Sequence, residues 1–479
     1  MNMQLIPTSH GPFYSLPLLV VSLIGLFSIA CGESNDIGEP RLINGPMIGV
    51  VTPNEVTIWA RVMGKFTFSV LYDADPDMRA PTRSEVVLAG AEQDFSVQVI
   101  LRGLQPATTY YYRVLVNDQP PKYMAQKLPF RAKTAPAPDD ETRFVISFGS
   151  CPRVQEEMIQ PIWYQIREAD PDLFFWLGDN IYGDTVDPQF LAEIYRRQRD
   201  VASLQPVLRN ISNLAIWDDH DYALNDGDRE NPIREESLRV FKNYWANPAY
   251  GLPDAPGVFF NYQYGGVDFF FLDGRYHRDP SLMPDGPNKT FLGERQLTWL
   301  MDGLRKSRAP FKVLVNGSGW TSLKGPRGDS WSSALHERDR LFDFIRDEEV
   351  SGVVLISGDT HQGEWNCIPR SDHGGYDLYE FVSSPLAQGT SGKTQRRLPE
   401  IYMRDWYGDA PNFGYMVFDL TEADPLIRYN LIDVFGDADA EWIEIRASEL
   451  VNGVASWPEK IDAEEREKRE KGLYLEYEP

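Results

Sequence analysis

Five short polar peptides in this chain carry residues able to bind metal ions or move protons. They are Gly149-Ser150-Cys151, Gly178-Asp179-Asn180-Ile181-Tyr182, Asp218-Asp219-His220-Asp221, Asn316-Gly317-Ser318-Gly319 and Ser357-Gly358-Asp359-Thr360-His361. Thiol, phenol, amide, imidazole and carboxylate are together the donors of a two-metal hydrolase site. Hydrolysing a phosphate ester needs a nucleophile at neutral pH, neutralised phosphoryl oxygens and help for the leaving oxygen. Two cations about 3.5–4 Å apart supply the first two.

Asp179 is the candidate bridging ligand. Tyr182 lies three residues on, so a tight loop can turn its phenolate onto the same cation. Cys151 would add a thiolate and His361 an imidazole. Phenolate with thiolate favours a strongly Lewis-acidic ion, iron above all. The second cation would draw on Asp179, Asp219, Asp359 and the amide oxygen of Asn316. That all-oxygen shell suits calcium, or else manganese or magnesium. Asp218 is an alternative to Asp219, because pattern alone does not separate neighbours. His220 is then free to act as general acid toward the leaving oxygen, or to steady the phosphoryl group, with Asp221 orienting it. Asn180 and Arg275 are candidate substrate contacts. For Arg275 the alternative is an ion pair with Asp273.

The runs before these peptides, FVISF, LFFWL, LAIW, FKVLV and VVLI, read as buried strands. The chemistry should therefore gather where strands end, the edge at which α/β sheets bind ligands. Residues 143–435 alternate strand and helix patterns, with helices expected near 155–168, 188–208, 234–245, 293–305 and 335–346. This is an α/β layered domain with a mixed sheet or two sheets. Residues 42–134 read as all-β, in EVTIWARV, FTFSVLY, FSVQVIL and TTYYYRVLV. The stretch from Gly103 to Tyr110 resembles the corner before a late strand of fibronectin type III domains, with the Tyr110 hydroxyl bonding back to the turn. TAPAPDDET at 134–142 is a linker, and 436–479 is a C-terminal extension whose Pro458–Arg469 stretch reads as a charged exposed helix or as unstructured chain.

The peptides resemble those of the PhoD-type alkaline phosphatases within the calcineurin-like metallophosphoesterases. Gly178–Tyr182 matches that group's Gly-Asp-x-x-Tyr. Asp218–Asp221 corresponds to the superfamily's Gly-Asn-His-Glu/Asp peptide, with Asp219 in place of the amide. Gly358–His361 corresponds to Gly-His-x-His, with Asp359 in place of the first imidazole. Leu272-Asp273-Gly274-Arg275, and Leu292-Gly293 with Gln296 and Trp299, match as well. The likeness covers roughly residues 42–435. It implies a β-sandwich ahead of an αββα catalytic core. It also implies an iron–calcium centre acting on phosphate mono- and diesters. The ligand set itself leads to an exported phosphoesterase in which a metal-bound hydroxide would attack phosphorus in line, with His220 assisting the leaving group.

A net charge of −24 argues against nucleic acid as the main partner, since phosphate backbones need a basic surface. Small phosphate esters are not excluded, because bound cations invert the local field. Three cysteines make no disulfide framework; Cys151 and Cys367 read as two buried thiols or one bridge. LPLLVVSLIGLFSI at 16–29 has the length of a signal-peptide core, and Ser28-Ile29-Ala30-Cys31 resembles a bacterial lipoprotein signal. The expected protein is exported to a bacterial cell envelope and attached to membrane through lipidated Cys31, with cleavage to a soluble protein as the alternative. The alternatives in function are a phosphodiesterase for phospholipid or nucleotide diesters, and a non-catalytic surface lipoprotein on a phosphatase scaffold. The intact ligand set argues against the last.

Overall fold

The computed structural model describes residues 41–124, 129–138, 140–391, 402–436 and 442–460, with single positions at 463, 467 and 471. The candidate signal segment with Cys31 lies outside these residues, as does most of the chain beyond 460. Among the described residues no helix is long and apolar enough to cross a membrane.

Leu173–Leu177 shows how the layers form, because LFFWL is apolar at every position and must be covered on both faces. Phe175 points one way and packs its ring 5.1 Å from Phe269 and 4.8 Å from Phe271, both on a strand of a second sheet. Phe174 and Trp176 point the other way, onto Trp163 of the helix Ile162–Ala169, at 5.5 and 4.9 Å. On the far face of the second sheet, Phe270 meets Trp299 of the helix Glu294–Lys306 at 6.0 Å. The result is an αββα sandwich.

The first sheet has nine strands, in the order Ile443–Arg446, Leu426–Asp433, Asn412–Asp419, Arg143–Gly149, Leu173–Leu177, Ser212–Ile216, Leu42–Val51, Glu55–Val62 and Ser96–Arg102. The second has seven, in the order Phe260–Tyr264, Val267–Phe271, Lys312–Val315, Val353–Ser357, Leu378–Val382, Gly363–Ile368 and Tyr402–Tyr407. Its middle strands run parallel, as do the three central strands of the first.

The N-terminal all-β domain precedes the catalytic one and shares a sheet with it. Its strand Leu42–Val51 joins Ser212–Ile216 in parallel, through the pair Ile48 and Ser212. A separate five-stranded sheet around Thr67–Asp73 and Thr109–Val116 forms its other layer. The Tyr110 hydroxyl accepts from the Gln105 N–H at 3.0 Å, the expected corner.

Two helices differ from expectation. The first begins only at Ile162, and Gln155 instead donates to the Tyr182 carbonyl at 2.6 Å. The stretch 188–208 splits into Pro188–Asp200 and Gln205–Asn210, because Pro206 starts a new helix where its missing N–H is harmless. The first sheet also runs on past residue 435, to Ile443–Arg446.

Candidate active site

Every candidate ligand lies just beyond a strand. Cys151 follows Arg143–Gly149, Asp179 and Tyr182 follow Leu173–Leu177, and Asp219 follows Ser212–Ile216. From the second sheet, Asn316 follows Lys312–Val315, while Asp359 and His361 follow Val353–Ser357. The backbone turns sharply at these ends. Cys151, Asp179, Asp359 and His361 have φ of +64°, +48°, +72° and +54°. Left-handed backbone is uncommon for residues with a Cβ, and such strain collects at functional sites. Gly178, at φ +92°, lets two strand ends touch: a Cβ there would fall 2.6 Å from Cβ of Asp218.

Cys151, Asp179, Tyr182 and His361 meet in one half of the site. The buried Cys151 thiol donates to Asp179 Oδ2 at 3.4 Å and has the Ser150 and Ser384 hydroxyls at 3.1 and 3.3 Å. Tyr182 Oη lies 3.2 Å from His361 Nε2. Gln388 donates its amide to Tyr182 Oη and sits 2.9 Å from His361 Nε2. Burial pushes the Cys151 thiol up to about 11. Burial lowers His361, which keeps its imidazole neutral and fit to be a ligand.

Asp179, Asp219 and His220 form the other half, with ligand atoms all within 4.8 Å of one another. Asn316 donates to the Ser318 carbonyl at 2.5 Å, and its own Oδ1 is buried with no hydrogen-bond partner. The Asp359 carboxylate pairs with Lys324. Burial raises the Asp179 carboxyl well above the usual range, and the neighbouring Asp219 and Cys151 add to this. Burial likewise carries Asp218 to about 7, although Arg275 opposes the shift.

Buried carboxylates are normally paired or coordinate metals. Among the described residues, Asp179 accepts only from the Cys151 thiol and, at 3.4 Å, from the His220 N–H. Excess buried carboxylate, a facing thiol and phenol, and an orphaned amide oxygen fit a pair of cations. Both sheets contribute donors.

The geometry separates Asp219 from Asp218. Arg275 Nε donates to Asp218, and Ser318 Oγ lies 3.2 Å from its Oδ2. Asp218 therefore anchors the loop, while Asp219 faces Asp179.

Three expected roles are corrected. Asp221 does not orient His220: its carboxylate accepts from Tyr195 Oη at 2.9 Å and from the N–H groups of Asn180 and Asp218 at 3.0 and 3.2 Å. Asp184 performs the orienting, with Oδ1 2.5 Å from His220 Nδ1. Burial pulls the His220 imidazole down. The Asp184 hydrogen bond with the Asp179 and Asp219 charges outweighs this and carries it to about 10.

Asn180 is buried, and its amide donates to the Ile216 carbonyl at 2.8 Å, which ties two strand ends together rather than reaching a substrate. Arg275 is fully buried, and neither phosphate nor an Asp273 ion pair is its role. It meets Asp329 in two bonds, at 3.0 and 2.6 Å, and reaches Asp218, Ser318 and the Gly227 carbonyl. All its donors are engaged inside the fold. The Asp273 carboxylate accepts instead from Trp217 Nε1 at 2.8 Å and from backbone N–H groups.

Sequence reasoning missed Asp184, Gln388, Lys324 and Asp329. Asp184 carried a signal, being only two residues beyond Tyr182 in the same loop. The other three sit in loops whose fold no local pattern predicts.

Residues 145–424 match the family described as PhoD-like phosphatase, and residues 29–135 match the PhoD-like phosphatase N-terminal domain. Alkaline phosphatase D of Bacillus subtilis (strain 168) is 24% identical over 448 residues, covering 80% of this chain and 75% of that protein. A solved structure of PhoD superposes with a TM-score of 0.68 at 20% identity, over 89% of this chain and 97% of that one. A purple acid phosphatase from yellow lupin (Lupinus luteus) seeds superposes with a TM-score of 0.61 at 12% identity, over 85% and 74% of the two chains. These two structures share the fold.

Proposed function

The chain belongs to the PhoD-like phosphatase family of metal-dependent phosphoric ester hydrolases, and on that premise we propose that it is an exported phosphatase with a binuclear metal centre. One observation carries this reading: Cys151, Tyr182 and His361 meet on one side of Asp179, with Asp219 and His220 on the other. Cys151, Asp179, Tyr182 and His361 would hold iron, which suits a thiolate and a phenolate. Asp179, Asp219, Asn316 and Asp359 would hold calcium, or manganese or magnesium in its place. Bound there, the two cations supply an activated water and neutralise the phosphoryl oxygens.

The protein's own groups do the rest. His220, held at Nδ1 by Asp184, presents Nε2 as the proton donor to the leaving oxygen. Arg275 holds Asp218 and reaches Asp219 at 3.4 Å, which fixes the loop bearing His220. Export and a lipid anchor are supported by the apolar run at 16–29 that ends near Cys31.

The test compares p-nitrophenyl phosphate with bis(p-nitrophenyl) phosphate at alkaline pH, using protein supplied with iron and calcium. Faster release from the monoester is expected. A strong diester preference would replace the monoester reading with a phosphodiesterase acting on phospholipid or nucleotide esters. Hydrolysis of neither would remove the enzymatic reading altogether.

A further inference from the structure

Because Arg275 has no donor left to give, any lysine or arginine contact to the phosphoryl group has to come from another side chain. We propose that Lys324 supplies it, binding the phosphoryl oxygens of the substrate. This rests on the phosphoesterase reading above. The Lys324 ammonium contacts the Asp359 carboxylate and lies 3.4 Å from the Asp329 carbonyl oxygen. An ammonium has three N–H donors, so among the described residues one remains for a ligand. The Lys324 side chain is 35% exposed, against 0% for Arg275, so a substrate arriving from solvent can reach it. Arg153 also borders the site, but its guanidinium lies over the Tyr182 ring at 4.8 Å and faces Glu156 at 3.6 Å.

The loop that carries Lys324 is built to aim it. Gly325 N–H donates to the Ser322 carbonyl at 3.0 Å, and Gly328 N–H to the Gly325 carbonyl at 2.9 Å. Trp331 N–H closes the loop on the Gly319 carbonyl at 3.1 Å. Gly328 lies flat on Lys324: a Cβ there would fall 2.3 Å from Lys324 Cβ. A side chain at 328 would therefore collide with Lys324 and shift it. On a protein of net charge −24, a compact local cation also offsets the repulsion felt by an incoming dianion.

The test uses the full chain loaded with iron and calcium, as wild type, Lys324→Met, Lys324→Arg and Gly328→Ala. Calorimetry measures binding of inorganic phosphate, elemental analysis measures bound metal, and kinetics on p-nitrophenyl phosphate give KM and kcat. Lys324→Met should weaken phosphate binding and raise KM by about tenfold, as expected for losing one charge-assisted hydrogen bond. Its metal content should match the wild type. Lys324→Arg should recover part of the affinity, and Gly328→Ala should lose affinity by displacing the lysine. Unchanged phosphate binding in Lys324→Met would overturn the proposal and leave Lys324 as an ion pair to Asp359. Loss of metal from Lys324→Met would overturn it too, making the lysine a support for that carboxylate. A wild type that hydrolyses no ester would instead sink the phosphoesterase reading itself.

Discussion

His220→Ala should lower turnover by about a hundred- to ten-thousand-fold, the range for losing a positioned general acid, with metal content unchanged. The expectation rests on where the ring is held. Asp184 fixes Nδ1, so Nε2 faces the cluster. Bound cations would neutralise Asp179 and Asp219, leaving Asp184 as the carboxylate that keeps the proton on the ring. The Tyr182 ring packs against the imidazole at 4.1 Å and restricts its rotation. Turnover on p-nitrophenyl phosphate, with elemental analysis of the same samples, checks this. Substrates with poorer leaving groups should suffer more, because they depend more on the donated proton. Unchanged turnover would remove His220 from the mechanism. Loss of metal alongside turnover would make it a ligand instead.

Asp179→Asn should have effects of two signs. In the presence of metal it would remove the ligand proposed for both cations, and hydrolysis should fall by roughly a thousandfold or more, the scale of several kcal/mol of lost metal-ion catalysis. At a cation concentration 100 times its Kd, binding stabilises a protein by about 2.7 kcal/mol, and the variant should lose that gain. In the absence of metal the sign reverses. Asp179 is raised well above 3.8 by burial, then by Asp219 and Cys151, while burial carries Asp221 to about 7. A raised carboxyl contributes stability that is fully present below its unfolded value and is lost as pH rises through the folded one. Metal-free wild type should therefore unfold more easily as pH climbs from about 4 through 7 and beyond. Metal-free Asp179→Asn lacks one of these groups, so its thermal midpoint should fall less over the same range. Equal pH profiles for the two metal-free proteins would show that Asp179 carries no such excess charge.

Much of the site was legible because each polar peptide follows a run that can only be a buried strand. LFFWL before Asp179 and VVLIS before Asp359 placed their ligands at sheet ends without any knowledge of pairing. The pattern could not reveal the left-handed turns at Cys151, Asp179, Asp359 and His361, since each is set by the strand end it must face. Nor could it distinguish Asp221 from Asp184 as partner of His220. Asp221 is adjacent in sequence, but it caps its own short helix together with Asp218.

Arg275 was misread for a related reason. Its partner Asp329 lies 54 residues away in a loop, so the demand on its donors is invisible locally. The N-terminal sheet read as a separate sandwich because local alternation cannot report the pairing of Ile48 with Ser212. The strands Gly363–Ile368 and Ile443–Arg446 escaped notice as well. Both interrupt apolar residues with Glu, and only their pairing partners make them strands.

The binuclear centre is tested most directly by counting the metals in the purified protein and following ester hydrolysis through chelation and re-supply. Two cations per chain are expected, with loss of hydrolysis on chelation and recovery with iron and calcium together. A visible charge-transfer band should disappear and return in step, since thiolate and phenolate would both face ferric iron. Full hydrolysis by colourless protein stripped of every metal would contradict it.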